Sequence, residues 1–384
     1  MSSLPRRSLL GAAAALSFAA PGRAATKVGA PPASTPPAPH FGAVLPLTGA
    51  YALSGDETLR GIQLAMDKVN AEGGVAGQSL AVTATDMPSQ SSAAAAVKGL
   101  ISQQHVNLLF GSGASALSYP ATAAAELAQV PFIELTAPAD GIMTRGFKFL
   151  LRTGPNTSMT GNLAASCIQT RFAKRRLGFL FNTGATAGAI AAAVIAALKA
   201  AQLPITLMAG YAEDTADLYV QTERMMRARV EVLLHAAGPD DTLALFQAMK
   251  SLAWRPDDLI GCGEGYGLRD TAAALGGALN GTLVIAAPFY PGKAESVAQA
   301  YEARYATPPR SAESCTAYVG AKLTFDTLKA ARGDPGKLLA MLSAVNLPQG
   351  ALLNGFGAVF DITGQNTASF VTLQRWKDGV LNPA

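Results

Sequence analysis

From Phe41 onward the chain alternates short apolar runs with longer stretches in which apolar residues recur every three or four positions. Runs of the first kind read as buried parallel strands, and stretches of the second kind as one-sided helices. The first strand is Phe41 to Leu47. A helix over Asp56 to Asn70 follows, with Leu59, Ile62, Ala65, Met66 and Val69 on one face, ended by the glycines of GGVAG. Next come a strand Leu80 to Thr85 and a helix Ser91 to Gln104. The run VNLLFGSGASALS (Val106 to Ser118) reads as a third strand that opens through a glycine-serine loop onto an alanine-rich helix ending near Gln129. Strands Pro131 to Leu135 and Phe147 to Leu151 complete a β-α-β-α-β-α-β order, the signature of a doubly wound α/β fold.

The same rhythm then restarts. Helix Met159 to Gln169 leads to strand Leu177 to Phe181, helix Ala187 to Ala201, strand Ile205 to Gly210 and helix Leu218 to Arg227. Strand Val230 to His235, helix Thr242 to Leu252 and strands Leu259 to Cys262 and Leu283 to Ala287 follow. Three helical stretches, Ser296 to Tyr305, Thr316 to Arg332 and Pro335 to Val345, have no strands between them, so they pack back onto an existing unit. Phe356 to Asp361 and Phe370 to Trp376, with a polar turn over Ile362 to Asn366, read as a β-hairpin.

Composition narrows the function. The chain has 384 residues, enough for two domains, and charged residues make up 15% of it against a usual share of about 25%. Residues 1–24 have the anatomy of a cleaved export signal: Arg6-Arg7 before an apolar run to Ala20, then the small residues Gly22 to Ala24. The paired arginines resemble a twin-arginine signal, although an ordinary secretory n-region has the same outline. Without Arg6, Arg7 and Arg23, 27 basic residues stand against 26 acidic ones, which leaves no electrostatic footprint for nucleic acid or an anionic membrane. Residues 25–40 form a proline-rich linker. Cys167, Cys262 and Cys315 have no metal-ligand spacing and read as small buried hydrophobes. The expectation is a periplasmic protein without a metal or cofactor and without stable membrane insertion.

Enzymatic motifs are scarce. The sequence holds no G-x-S-x-G, H-E-x-x-H or P-loop, and His40, His105 and His235 are isolated. His235 ends a strand and could face a cleft or be a hydrogen-bonded strand-end residue. One competitor remains: Gly111 to Ala116 fits G-x-G-x-x-A after a strand, with Glu134 some twenty residues on where a ribose-binding acid belongs. Its place on the third strand rather than the first, and the export signal, weigh against an NAD(P)-dependent enzyme.

Four segments carry a family resemblance: PLTGAYALSGDETLRGIQLAMDKVNAEGGVAG (Pro46 to Gly77), FGSGASALSYPATAAAELAQVPFI (Phe110 to Ile133), FLLRTGPN (Phe149 to Asn156), and the tail VFDITGQN (Val359 to Asn366) with LQRWKDG (Leu373 to Gly379). Together they resemble the leucine/isoleucine/valine-binding family of type I periplasmic solute-binding proteins of ABC importers. The resemblance implies two doubly wound parallel-sheet lobes joined by three crossovers, near Arg152 to Asn156, Ala286 to Pro291 and Gln349 to Asn354. One lobe would hold 41–153 with 289–349, the other 154–288 with 350–384.

The implied activity is non-enzymatic capture of a small carboxylate-bearing solute, an amino acid or related compound, by a monomer that delivers it to a membrane permease. A ligand sensor of the same fold is the alternative. The resemblance gives the solute's carboxylate to Ser115 beside Gly113, and to Thr136 and Ala137 after the fourth strand, with Pro138 where the family usually has threonine. It gives the amine to Glu264. Ser54 and Thr186 occupy places that often hold tyrosine, leaving Tyr51, Tyr266 and Phe289 or Tyr290 as pocket aromatics.

Overall fold

The computed structural model describes residues 40–384; the expected signal and nearly all of the expected linker lie outside them. The first α/β unit comprises β1 (Phe41–Leu45), α1 (Ala52–Ala71), β2 (Val82–Asp86), α2 (Gln90–Gln104), β3 (Leu108–Gly111), α3 (Ser115–Leu127), β4 (Phe132–Glu134) and β5 (Leu150–Arg152). Its five strands are parallel in the order β2-β1-β3-β4-β5. Strands covered on both faces, such as β1 and β3, are buried along their whole length and correspondingly apolar. The edge strand β2, VTATD, is half-exposed and alternates instead.

The second unit comprises α4 (Thr157–Cys167), β6 (Leu177–Asn182), α5 (Ala185–Ala200), β7 (Leu207–Tyr211), α6 (Tyr219–Arg227), β8 (Val232–Ala236), α7 (Pro239–Ser251), β9 (Asp258–Cys262), α8 (Glu264–Gly267), α9 (Arg269–Leu275) and β10 (Leu283–Ala286). After it run α10 (Glu295–Tyr305), α11 (Glu313–Ala330), α12 (Pro335–Ser343), β11 (Asn346–Leu347), β12 (Ala358–Val359), β13 (Thr372–Lys377) and β14 (Val380–Pro383). The second sheet has the order β14-β13-β10-β9-β8-β6-β7, with β13 and β14 antiparallel additions at one edge. The architecture is thus two parallel-sheet α/β lobes.

The strandless late helices do return to the first lobe. Tyr301, Phe325, Leu338 and Leu342 share one core with Phe41, Ile62 and Phe110. Gly61 makes the close approach of α1 and α11 possible, since a Cβ there would meet the Ser314 carbonyl at 2.3 Å.

Two expectations are corrected. Leu352, Ala358 and Phe360 still pack on the first lobe's core, so the third passage of the chain follows them instead of falling at Gln349 to Asn354. The hairpin between Phe356 to Asp361 and Phe370 to Trp376 does not form. β12 pairs with β11, and the segment between is held by the first crossover, where Arg152 donates its N–H to the Gly364 carbonyl and Asn366 donates to that of Arg152, both at 2.9 Å. The hairpin that does form is β13-β14, turned by Asp378-Gly379 with both residues at positive φ, a two-residue turn matched to strand twist.

Candidate functional site

In sheets of this kind the strand order reverses at one point, and the crevice beyond the carboxyl ends of the strands there is the natural binding place. The reversals lie between β1 and β3 in one lobe and between β6 and β8 in the other. A cavity of about 110 Å³ opens between the two sets of strand ends. The first lobe contributes Ser54, Gly113, Thr136 and Pro138; the first crossover and α4 contribute Asn156 and Thr160; the second lobe contributes Thr186, Ile285 and Glu264. Glu313 and Thr316, at the start of α11, close the first-lobe side. No lysine or arginine lines it.

Six helices begin at or beside this cavity, so their N–H ends give it a positive bias. Asn156 caps α4 by accepting the Met159 N–H at 2.9 Å. The lobes also meet across the cleft: the Tyr51 hydroxyl donates to Glu213, and the Ser115 N–H donates to Thr186 Oγ1 at 3.2 Å. At the rim, the Arg269 N–H donates to the Arg310 carbonyl at 2.8 Å.

The anion cradle expected after β3 and β4 is present, but a side chain of the protein fills it. Glu134, fully buried, accepts from Ser112 N at 2.7 Å, Ser112 Oγ at 2.7 Å, Ser118 Oγ at 2.5 Å, Ala137 N at 3.0 Å and Thr136 N at 3.2 Å. The amides assigned by resemblance to a solute carboxylate are therefore committed within the chain. The same arrangement leaves the G-x-G-x-x-A loop no place for a pyrophosphate, because a carboxylate already stands against it.

The remaining expected residues fall into two groups. Ser54, Gly113, Thr136, Pro138, Thr186 and Glu264 converge on the cavity, and Ser115, Ala137, Tyr51 and Tyr266 do not line it. Ser115 is buried, its hydroxyl accepting the Ala139 N–H at 3.2 Å. Tyr51 closes the lobes against each other through Glu213. Tyr266 points into the second lobe, where its hydroxyl meets His235 Nδ1 at 2.6 Å while Tyr211 meets Nε2 at 2.8 Å. Burial drives His235 down to about 3, so at neutral pH it is an uncharged strand-end residue that does not face the cleft.

Glu264 reaches the cavity because Gly263, at φ 100°, turns the chain sharply off β9 within 2.7 Å, for an added Cβ, of the Ala237 carbonyl. Its Oε1 is buried without a hydrogen-bond partner. Burial, and then the nearby Glu313 carboxylate, hold Glu264 well above the usual carboxylate range. Glu313 is raised as well, by burial, and partly offset by the Ser311 hydroxyl that donates to it. Sequence reasoning missed Glu313 because it began the late helix at Thr316, three residues after α11 starts. A serine-x-acid step before an apolar run, Ser311-Ala312-Glu313, was the available signal.

A family model for the periplasmic binding proteins matches residues 39–379. The chain belongs to the periplasmic binding protein family. Among curated relatives it is similar to the Leu/Ile/Val-binding protein homolog 8 of Brucella abortus, 30% identical over 358 residues and 89% of each chain. Homolog 7 of the same organism is 30% identical over 375 residues and 93% of each chain.

Among solved structures it is similar in fold to the substrate-binding protein LivJ of Streptococcus pneumoniae, in complex with isoleucine, with a TM-score of 0.80 at 20% identity over 90% of this chain and 97% of that one. A solute-binding protein of an ABC transporter from Rhodopseudomonas palustris, in complex with 3,4-dihydroxybenzoic acid, gives 0.78 at 19% identity over 90% and 95%. Both likenesses show the type I two-lobed fold. Family members are solute-binding proteins, and membership implies an exported, periplasmic protein. Among the described residues no helix is long and apolar enough to cross a membrane.

Proposed function

We propose that this chain is the capture subunit of an importer whose two lobes, 41–153 with 289–349 and 154–288 with 350–384 apart from the shifted third passage, close on a small carboxylate-bearing solute. The solute is an amino acid or a related compound, delivered by a monomer to the transporter's permease after the twin-arginine-like leader has been cleaved; the protein catalyses no reaction. What supports this reading most is a cavity at the switch points of both sheets, walled by both lobes and holding a buried, unpartnered carboxyl oxygen.

Ser54, Thr136 and Thr186, near the helix starts, offer hydroxyls to a solute carboxylate. Glu264 faces them from the second lobe and suits an ammonium. Contacts to both lobes are what make a ligand favour the closed form. A thermal-shift screen of the mature chain against amino acids, their amides and aromatic acids tests this. A solute at about a hundred times its dissociation constant stabilises by roughly 2.7 kcal/mol, so one chemical class should raise the melting temperature in a concentration-dependent way. A flat response across all classes contradicts the reading.

A further inference from the structure

Two sets of bonds join the lobes through side chains that do not line the cavity. The first pairs Tyr51, the residue before α1 in the first lobe, with Glu213, in the loop after β7 of the second. A phenol that donates to a carboxylate makes a charge-assisted bond, stronger than a neutral one. Burial, and then the Glu213 carboxylate itself, hold the Tyr51 phenol above its usual range, so it keeps the proton that it donates. Glu213 lies against Gly184, the residue that precedes α5: a Cβ there would meet Glu213 Cδ at 2.5 Å and its two carboxylate oxygens at 2.6 and 2.7 Å. Gly184 has ordinary extended backbone, open to any residue, so the space it leaves serves the carboxylate and not the chain's own turn. The N-terminal end of α5 favours the negative charge placed there.

The second set centres on Arg310, in the first lobe just ahead of α11. Its guanidinium pairs with Asp56 of α1 at 2.8 Å and lies 3.7 Å from Asp270 of α9, in the second lobe. Its carbonyl accepts the Arg269 N–H at 2.8 Å. In the second sheet β7 is the edge strand, and β6 and β8 stand between it and β9, the strand that precedes α8 and α9. The two sets therefore close the cleft at separate places and share no partner, which makes their effects independent. A solute that needs the closed form has an apparent affinity scaled by the fraction of the chain able to adopt it. Bonds that favour closure without touching the solute thus multiply the affinity for every solute by one factor.

We propose that Tyr51 with Glu213, and Arg310 with Asp270, are two solute-blind clasps: four side chains outside the cavity that set how readily the lobes close, and so how tightly any solute is held. Resting on the reading of the cavity as the solute site, this assigns the strength of capture to residues other than those that choose the solute. All four are positioning residues. Groups that line the cavity discriminate among solutes, and the clasps fix the common scale on which all of them bind.

Leucine, leucinamide and benzoate, titrated calorimetrically into the mature chain and its variants, supply the test. Tyr51→Phe should weaken each of the three that binds by the same factor, about three- to tenfold, and Asp270→Asn, at a more exposed and longer contact, by about twofold. The two losses should multiply in the double variant. Gly184→Ala pushes Glu213 aside and removes no bonding group, so it should weaken binding as Tyr51→Phe does, and adding it to Tyr51→Phe should cost nothing more. In the solute-free chain a nitroxide on Ala216→Cys, in the loop that carries Glu213, should broaden the amide signals of Gly49 to Ala52 across the cleft, and should broaden them less when Tyr51 is Phe. Unchanged affinity in Tyr51→Phe, a loss that differs by more than about threefold between solutes, or losses from Gly184→Ala and Tyr51→Phe that multiply overturn the clasps and leave solute capture intact. Equal broadening with and without the Tyr51 hydroxyl overturns them too. Where none of the three solutes binds, the broadening decides alone, and the thermal-shift screen judges solute capture separately.

Discussion

Glu134→Ala should lower the unfolding free energy by on the order of 3 to 5 kcal/mol, because it strands several buried donors at once, each costing about 1 to 3 kcal/mol when unsatisfied. The donors are two Ser112 groups, the Ser118 hydroxyl and the amides of Thr136 and Ala137, all directed at one side chain. Glu134→Gln should recover little of the loss. Its amide nitrogen would turn donors toward donors, and only one of the two carboxylate oxygens would keep its role. Chemical denaturation of the three proteins measures this directly. A Gln variant as stable as the wild type would mean that the cradle holds Glu134 by shape alone.

Arg152 carries the second large effect. Its guanidinium is 1% exposed, and burial lowers its pKa to about 10, against which the charges of Glu134 and Asp140 act, so it stays cationic at neutral pH. It donates to Gln365 Oε1 at 2.6 Å, to the Ala137 carbonyl at 3.0 Å and to that of Ala139 at 2.8 Å. One side chain thus ties the loop after β4 to the third passage of the chain, and its charge offsets that of Glu134. Arg152→Met should cost about 3 to 5 kcal/mol, the range for breaking a buried ionic arrangement from one side. Arg152→Lys keeps the charge but lacks the fork geometry that serves three acceptors, so it should fall between. The same denaturation series checks both, and equal stability of Arg152→Met and wild type would contradict the assigned role.

The sequence was most legible where chemistry repeats. Short, mainly apolar runs marked β1, β3 and β8, and the absence of strands between α10, α11 and α12 foretold their return to the first lobe. Glu134 was legible as an acid at a strand end, and even as a candidate for ligand chemistry. That it turns back into its own loop depends on Ser112 and Ser118, some twenty residues earlier, which only the β3-β4 pairing brings beside it.

Tyr266 failed for a local reason. It lies two residues after Glu264 in a one-turn helix, and residues two apart on a helix face different ways. The C-terminal error came from two turn signals in one tail. Ile362 to Asn366 carries four polar or glycine positions, but long-range bonds to Arg152 and Thr153 claim it, and the shorter Asp378-Gly379 turn forms the hairpin.

The central claim is that two lobes close on a solute held between them. Small-angle X-ray scattering of the mature chain, with and without the solute that gives the largest thermal shift, tests it most directly. The radius of gyration should fall on saturation, as the free protein opens at the crossovers and the solute draws Glu264 toward Ser54. An unchanged radius of gyration at saturating solute would contradict it.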